Sequence, residues 1–446
     1  MNYNKEIDYK SYLQTFLFSL FCLLFAFPIL PNAFHSIIIV LIIISALFLY
    51  GKNLKDNIKR TGYKPVFYLC LWIIVIIFSL SYTDNQDKGL KLILRLVNFI
   101  IFPILFIYLI PKISQKQQTI LFYFYIVSNF LIVIFLYVKL VQGIDALGYI
   151  NTAGERTRGL LKLSIIDQFN VISKLPFHVS RYYLNENNIS GIFVHKAYLS
   201  MGFIWSIILI IDTVFFKETS KWLKAAGLFF ILIFTFSVVY LTSIPNLVCL
   251  LIIPIFIVWK INSKKIRTII CILFIVVPSI LLVTPSVQNK LYDNVRFKQD
   301  FEEAKITLVN LFSEKPDRNA NIRSQLWSCA VNEFAKKPIF GYGIGSENDV
   351  INTCTNSELN SHNYFFSILI TGGLILFIAF ILFLGNSFNI AIITKNKVQL
   401  AFLVIICINL MSESMFIRIH GILFCSIFGS LLYKESLFLK LEKESV

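Results

Sequence analysis

Charge is what this sequence lacks. Only 15% of its 446 residues are charged, against about 25% in a soluble domain. From Ser11 to Gly51 no charged side chain occurs over 41 residues. A water-facing surface cannot be tiled from that supply. A soluble enzyme, a disordered chain and a secreted disulfide scaffold are therefore excluded. Metal-ligand spacing is missing as well. There is no CxxC pair and no histidine-rich run among five histidines, so neither a metal nor a cofactor is expected. Acidic residues number 25 against 41 lysines and arginines, a formal charge of +16. In a membrane protein such an excess first reports topology, so nucleic acid is not an expected partner.

Apolar residues are what the chain has, at 57%, including 44 phenylalanines. About 20 of them in sequence span the hydrocarbon core of a bilayer. The run from Ser11 to Gly51 holds two such spans, broken at Pro28, Pro31 and Asn32. Its length, the absence of a small-x-small cleavage site and the immediate second span argue for a retained helix over a cleaved signal peptide. Further spans are predicted near 66–82, 92–111, 119–140, 196–216, 226–243, 245–259, 268–286, 365–386, 399–415 and 417–433. The predicted fold is all-α: a polytopic integral membrane protein of about twelve transmembrane helices with a helical external loop.

Basic connections follow every second span: Lys52 to Lys64, Lys112 to Lys116, Lys217 to Lys224, Lys260 to Arg267, and Lys395 with Lys397. With both terminal segments, that side holds 21 basic against 8 acidic residues, and everything else holds 20 against 17. The positive-inside rule makes that side the cytoplasm and puts both termini there. The chain then divides into transmembrane helices one to five (1–140), a first external loop (141–195), helices six to nine (196–286), a large external loop (287–364), and helices ten to twelve with a cytoplasmic tail (365–446). Structureless loops of such length are uncommon and usually functional. In the larger one Ile322, Leu326, Cys329, Ala330 and Phe334 recur at helical spacing, and Lys336, Lys337 and Pro338 close the helix.

Six of eight cysteines lie in apolar spans, where they act as small hydrophobes. Cys329 and Cys354 share the large loop, either as a disulfide or as two thiols. The run Asp300, Glu302, Glu303 reads as the solvated face of a helix. All five histidines map to external segments or outer span ends. Arg95, inside the fourth span, is costly there unless it snorkels or is paired.

The most distinctive segment runs from Arg323 and Trp327 through Lys336-Lys337-Pro338 to Gly341-Tyr-Gly343-Ile-Gly345. Ser361-His362-Asn363-Tyr364-Phe365 follows, then a span with Thr371-Gly372-Gly373. Val194-His195-Lys196-Ala-Tyr198 and Ser412-Glu413 through Arg418 to Gly421 flank it. In joint order and topology, over roughly 180–433, these segments resemble the O-antigen ligase and polymerase superfamily. The resemblance implies a GT-C-like architecture in the bacterial inner membrane, with the large loops periplasmic. It implies a metal-independent, inverting glycosyltransferase, with an undecaprenyl-diphosphate-linked glycan as donor and a glycan or lipid A–core as acceptor. The matching histidine is the catalytic base in that family, which points to His362, assisted by Asn363 and Tyr364. One departure stands out: the turn Leu241-Thr-Ser-Ile-Pro-Asn246 lacks the Ser-Arg pair frequent there.

A diphosphate needs cations, and arginine offers a planar fork matched to phosphate oxygens. External candidates are Arg181, Lys196, Arg323 and Arg418. Several residues keep two readings. Arg323 and Trp327, at i and i+4, are a stacked surface pair or touch substrate. Gly343 and its neighbours form a tight turn or a phosphate cradle. Glu413 and Arg418 pair with each other or serve the site. His195 and Lys196 mark a helix boundary or contact the donor. Ligation to a finished acceptor and polymerisation share the donor chemistry, with ligation matching the motif order better. A flippase also has about twelve spans, but it expects ionisable residues inside paired spans, where this chain has almost none.

Overall fold

In the computed structural model, residues 9–147, 149–150, 156–157, 159–174, 196–217, 219–241, 243–261, 268, 322–356 and 359–444 are described. The predicted span at 268–286 beyond its first residue, Asp300, Glu302 and Glu303, and the candidates Arg181 and His195 lie outside these residues. The described chain is helical. Its only strands are two residues each, Tyr149–Ile150 and Arg156–Thr157, paired antiparallel with Tyr149 opposite Thr157.

Eight helices in the described residues are long and apolar enough to cross a membrane. Shorter apolar helices at Tyr9–Phe25, Pro245–Lys260 and Lys397–Leu410 coincide with three further predicted spans. The chain is a polytopic, all-helical membrane protein. Phe48, Trp222, Ile255 and Ile378 turn large apolar side chains outward, as hydrocarbon permits and water does not. Helices outrun the apolar windows that announced them, because propagation adds a hydrogen bond per residue once a nucleus exists. The span predicted at 365–386 runs Tyr364–Thr394, and the one at 417–433 continues to Glu444.

The chain folds as two compact units. The first comprises Met1–Asn57 and Leu109–Leu250. It contains α1 (Tyr9–Phe25), α2 (Asn32–Tyr50), α7 (Gln115–Leu147), α8 (Ile165–Lys174), α9 (Lys196–Ile210), α10 (Lys221–Leu241) and α11 (Ile244–Leu250). Helix α9 is buried along its whole length from Ala197 and packs on α7, α10 and α11. A helix apolar all round belongs at a centre. Phe203 and Phe234 stack across the α9–α10 contact, 5.5 Å apart. Asn246, in the turn that lacks the arginine, donates its amide to the Ala197 carbonyl at 2.8 Å.

The second unit comprises Ile58–Tyr108 and Leu251–Val446. It holds α4 (Lys64–Ser79), α5 (Gln86–Leu96), α6 (Asn98–Pro103), α12 (Ile252–Lys260), α13 (Ile322–Lys336), α14 (Glu347–Thr355), α15 (Tyr364–Thr394), α16 (Lys397–Leu410) and α17 (Ile419–Glu444). Helix α15 is the hub and packs against α4, α13, α14, α16 and α17. Trp72 of α4 is fully buried and stacks on Phe383, 5.5 Å between centroids. Phe99, Phe380 and Phe416 complete that aromatic cluster around it.

Helix α15 is broken at Gly373, whose φ of 60° and ψ of −155° belong to a region essentially reserved for glycine. The break frees backbone groups, and inside a membrane these need protein partners. The glycine-bearing turn after α13 supplies them. Tyr342 and Gly343 donate their amides to the Ile370 and Thr371 carbonyls at 2.7 and 2.8 Å. In return Leu374 and Ile375 donate to Pro338 and Ile339 at 2.8 and 3.4 Å. The stripe of α13 packs beside this splice: Leu326, Cys329 and Ala330 form one buried cluster with Val350, Ile351 and Ile370. Cys329 and Cys354 are joined as a disulfide tying α13 to α14, with Cα atoms 6.0 Å apart.

Gly373→Ala should therefore lower the melting temperature of the detergent-solubilised protein, since its Cβ would meet the Ile339 carbonyl and its φ would be strained. Gly385→Ala, with nothing near its added Cβ, should leave stability unchanged or raise it slightly. The disulfide closes a sequence separation of 25 residues, so Cys329→Ala should cost ~3 kcal/mol in unfolding. A reductant should lower the wild-type melting point and leave that variant's unchanged.

Candidate active site

The His362 segment is built by two buried brackets. Glu347, in the first turn of α14, is buried and takes the Ser361 amide on Oε1 at 2.9 Å. The Ser361 hydroxyl lies 2.7 Å from the same oxygen, and the Ser367 hydroxyl donates to Oε2 at 2.5 Å. One carboxylate thus ties α14 to the loop before α15 and to the first turn of α15. The second bracket is Trp327, whose indole N–H donates to the Ser361 carbonyl at 2.8 Å while its ring packs on Phe366. Both backbone groups of Ser361 are fixed, and His362 is the next residue.

His362 adopts a left-handed backbone, φ 49°, which is uncommon for a residue with a Cβ. Its amide donates to the Asn360 side chain at 3.0 Å. Asn363 then caps α15, its side-chain oxygen accepting from the amides of Phe365 and Phe366. The conformation turns the imidazole toward α16's far end, where Glu413 stands. His362 Nδ1 is 3.6 Å from Glu413 Oε2, an ion-pair separation longer than a hydrogen bond. Glu413 Oε1 lies 4.0 Å from Arg323 Nη2. The carboxylate is buried, with the histidine and arginine side chains partly exposed on either side. An imidazole, a buried carboxylate and a guanidinium from three separate elements meet at one point.

The other candidates fall in different places. Tyr364 is buried in the aromatic cluster, 4.8 Å from the Phe416 ring and 5.4 Å from that of Phe380. Trp327 braces the backbone through its indole N–H. Asn363 spends its side-chain oxygen on the helix cap. The amide of Gly343 is taken by Thr371, and a Cβ there would strike Thr83. The glycine run is accordingly a splice for the broken helix, and its Gly343 amide is not offered to a phosphate. Arg418 is exposed next to Ile417. Glu413 forms ion pairs with Arg323 and His362. Lys196 opens α9 in the first unit. Arg95 donates to the Ile417 carbonyl at 2.8 Å.

Further residues around the site went unread in the sequence. The turn between α4 and α5 clasps the glycine splice: Tyr82 donates to the Phe340 carbonyl at 2.6 Å and Thr83 to that of Ile344 at 2.8 Å. Asn85 and Lys88 both reach Asp349. Hydrogen bonds from Asn85 and Lys88 hold the Asp349 carboxyl below its ordinary range. At the C-terminal end of α13, Glu333 accepts from Lys336 at 2.6 Å and from the Tyr342 hydroxyl at 2.7 Å. Burial works to raise the Glu333 pKa, but these bonds and the lysine charge outweigh it and the net shift is downward. Burial and the bond to Glu333 push the Tyr342 phenol up to about 12. No local signal marks such partners, because Thr83 and Ile344 are 261 residues apart.

Residues 228–381 match the family model of the O-antigen ligases. Over that stretch, about a third of its length, the chain is similar to the O-antigen ligases. The match takes in Arg323, Trp327, the glycine splice, the Glu347 bracket and His362, and it ends before Glu413 and Arg418. No curated protein matches the chain. In a polytopic helical protein, that similarity supports a membrane glycosyltransferase-like function.

If Glu347 holds the His362 loop, Glu347→Gln should loosen it. The amide cannot accept all three hydrogen bonds, and an unsatisfied buried donor costs about 1–3 kcal/mol. Hydrogen exchange followed by mass spectrometry should show faster exchange at the Ser361 amide, with the centre of α16 unaffected. Unchanged exchange at Ser361 would remove Glu347 from this role.

Proposed function

We propose that this O-antigen ligase-like chain transfers a glycan from undecaprenyl diphosphate to a hydroxyl acceptor, with His362 as general base. The observation that carries the reading is the cluster of His362, Glu413 and Arg323. Nδ1 of His362 faces Glu413, which leaves Nε2 for the acceptor hydroxyl. A buried carboxylate behind an imidazole fixes its orientation and favours the imidazolium that forms on proton uptake. The acceptor oxygen, losing its proton to His362, attacks the anomeric carbon from the side opposite the diphosphate. The bond from that carbon to the diphosphate oxygen breaks, configuration inverts, and the lipid diphosphate departs with the electron pair. Arg323 and the exposed Arg418 are the cations placed to receive that charge. In this reading guanidinium groups do the work that a metal does in other transferases.

The setting follows the charge distribution. With the basic connections in the cytoplasm, the His362 loop stands on the periplasmic face of a bacterial inner membrane, where a membrane-held donor meets an aqueous acceptor. The acceptor is a lipid A–core or another glycan. Ligation is favoured by the motif order, and polymerisation uses the same base and donor.

His362→Ala should lower transfer by roughly 10²–10⁴-fold, the usual contribution of a positioned acid–base group. Glu413→Gln should lower it less, because the imidazole remains. The measurement is reconstitution of the full chain in liposomes with lipid-diphosphate glycan and lipid A–core, product being followed on a gel. Wild-type rates in His362→Ala would sink the assignment, and passage of intact donor across the bilayer without transfer would favour a flippase.

A further inference from the structure

One cavity in the second unit is not explained by the His362 cluster. It encloses about 220 Å³ along α5, beneath the glycine splice. Lys88, Lys91 and Arg95 line it at i, i+3 and i+7, so all three stand on one face of α5. Its remaining wall is mostly apolar, with Ile76, Leu92, Leu96, Ile368 and Phe416 among the residues. Three cations beside an apolar wall call for an amphiphile with a negative head.

The charge balance sharpens this. Lys88 is compensated by Asp349, 3.0 Å away. Among the described residues the Arg95 guanidinium donates one hydrogen bond, to the Ile417 carbonyl, and no carboxylate lies within 4 Å of it. Lys91 has no ion pair among the described residues. Glu347 lines the inner end, but its oxygens are held by Ser361 and Ser367. Among the described residues two positive charges thus remain without a counter-charge, one of them inside a span long and apolar enough to cross a membrane. An arginine there is expensive and usually marks a ligand path. Its planar fork has donors left over, in the geometry that phosphate oxygens accept.

From this juxtaposition we propose that Lys91 and Arg95 bind the phosphate head of a lipid whose hydrocarbon lies along the apolar wall of the cavity. Resting on the transfer reading above, the lipid is the donor carrier and the head its diphosphate. The wall is shared with the active loop through Tyr364 and Glu347, and Ile417 adjoins Arg418. A bilayer phospholipid offers the same chemistry, so the test compares the two.

The full chain in detergent is titrated with undecaprenyl diphosphate and, separately, with phosphatidylglycerol, and binding is read by native mass spectrometry. Three proteins are compared: wild type, Lys91→Gln/Arg95→Gln and His362→Ala. The double variant should bind undecaprenyl diphosphate about tenfold or more weakly, while His362→Ala binds it as wild type does. Lys91→Arg should retain binding. If loss of the Arg95 bond to Ile417 unfolds the double variant, Lys91→Gln alone carries the test, since it breaks no described contact. Equal affinity of variant and wild type for both lipids overturns the site. A loss confined to phosphatidylglycerol overturns the assignment to the donor. Carrier binding that depends on Lys91 and Arg95 in a protein inactive in transfer would keep the site and reject the transfer reading.

Discussion

The structure around the candidate site depends on a helix that is broken and then mended by another segment's backbone. At Gly373 the α15 ladder is interrupted, and the turn from Pro338 to Gly343 takes over its free carbonyls and amides. In water such a break would be filled by solvent. In hydrocarbon it must be filled by protein, at a cost of several kcal/mol for each group left open. The exchange of four backbone bonds therefore welds the turn after α13 into a long apolar helix. Everything that follows the weld, α14 with Glu347 and the loop with His362, inherits its position from it.

Rigidity then passes from backbone to side chains. Glu347 and Trp327 clamp Ser361 from both sides, and Asn363 starts α15 as its cap. His362 sits between these fixed points in a conformation that a free loop would rarely hold. The left-handed backbone is the means by which the imidazole turns to Glu413, which another helix end delivers. In the proposed reading, a base held this way reaches its acceptor without a further search over rotamers.

Charge is used sparingly and locally. The large loop holds 9 basic and 10 acidic residues, so no broad field draws an anion to it. Cations act as single placed groups: Arg323 beside Glu413, and Lys91 and Arg95 above an apolar cleft.

How much of this was legible in the sequence follows from the range of each interaction. Span positions, the α13 stripe of Leu326, Cys329 and Ala330, and its stop at Lys336 depend on neighbours three or four residues away, and periodicity displays those. The motif order from Arg323 to His362 was enough to point to the family whose model matches residues 228–381. The pairing of Glu413 with Arg323 and His362, by contrast, joins residues 90 and 51 positions apart, and no local pattern announces it. The glycines that resembled a cradle proved to be a splice, since the break they fill belongs to α15. Arg95 was visibly costly, yet its place beside Ile417 and the cleft joins segments 322 residues apart. The sequence by itself determined that the chain lives in a bilayer and which residues could do chemistry. Only the tertiary structure decided which of them meet, because hydrogen bonds and ion pairs act over a few ångströms, and chain proximity does not predict them.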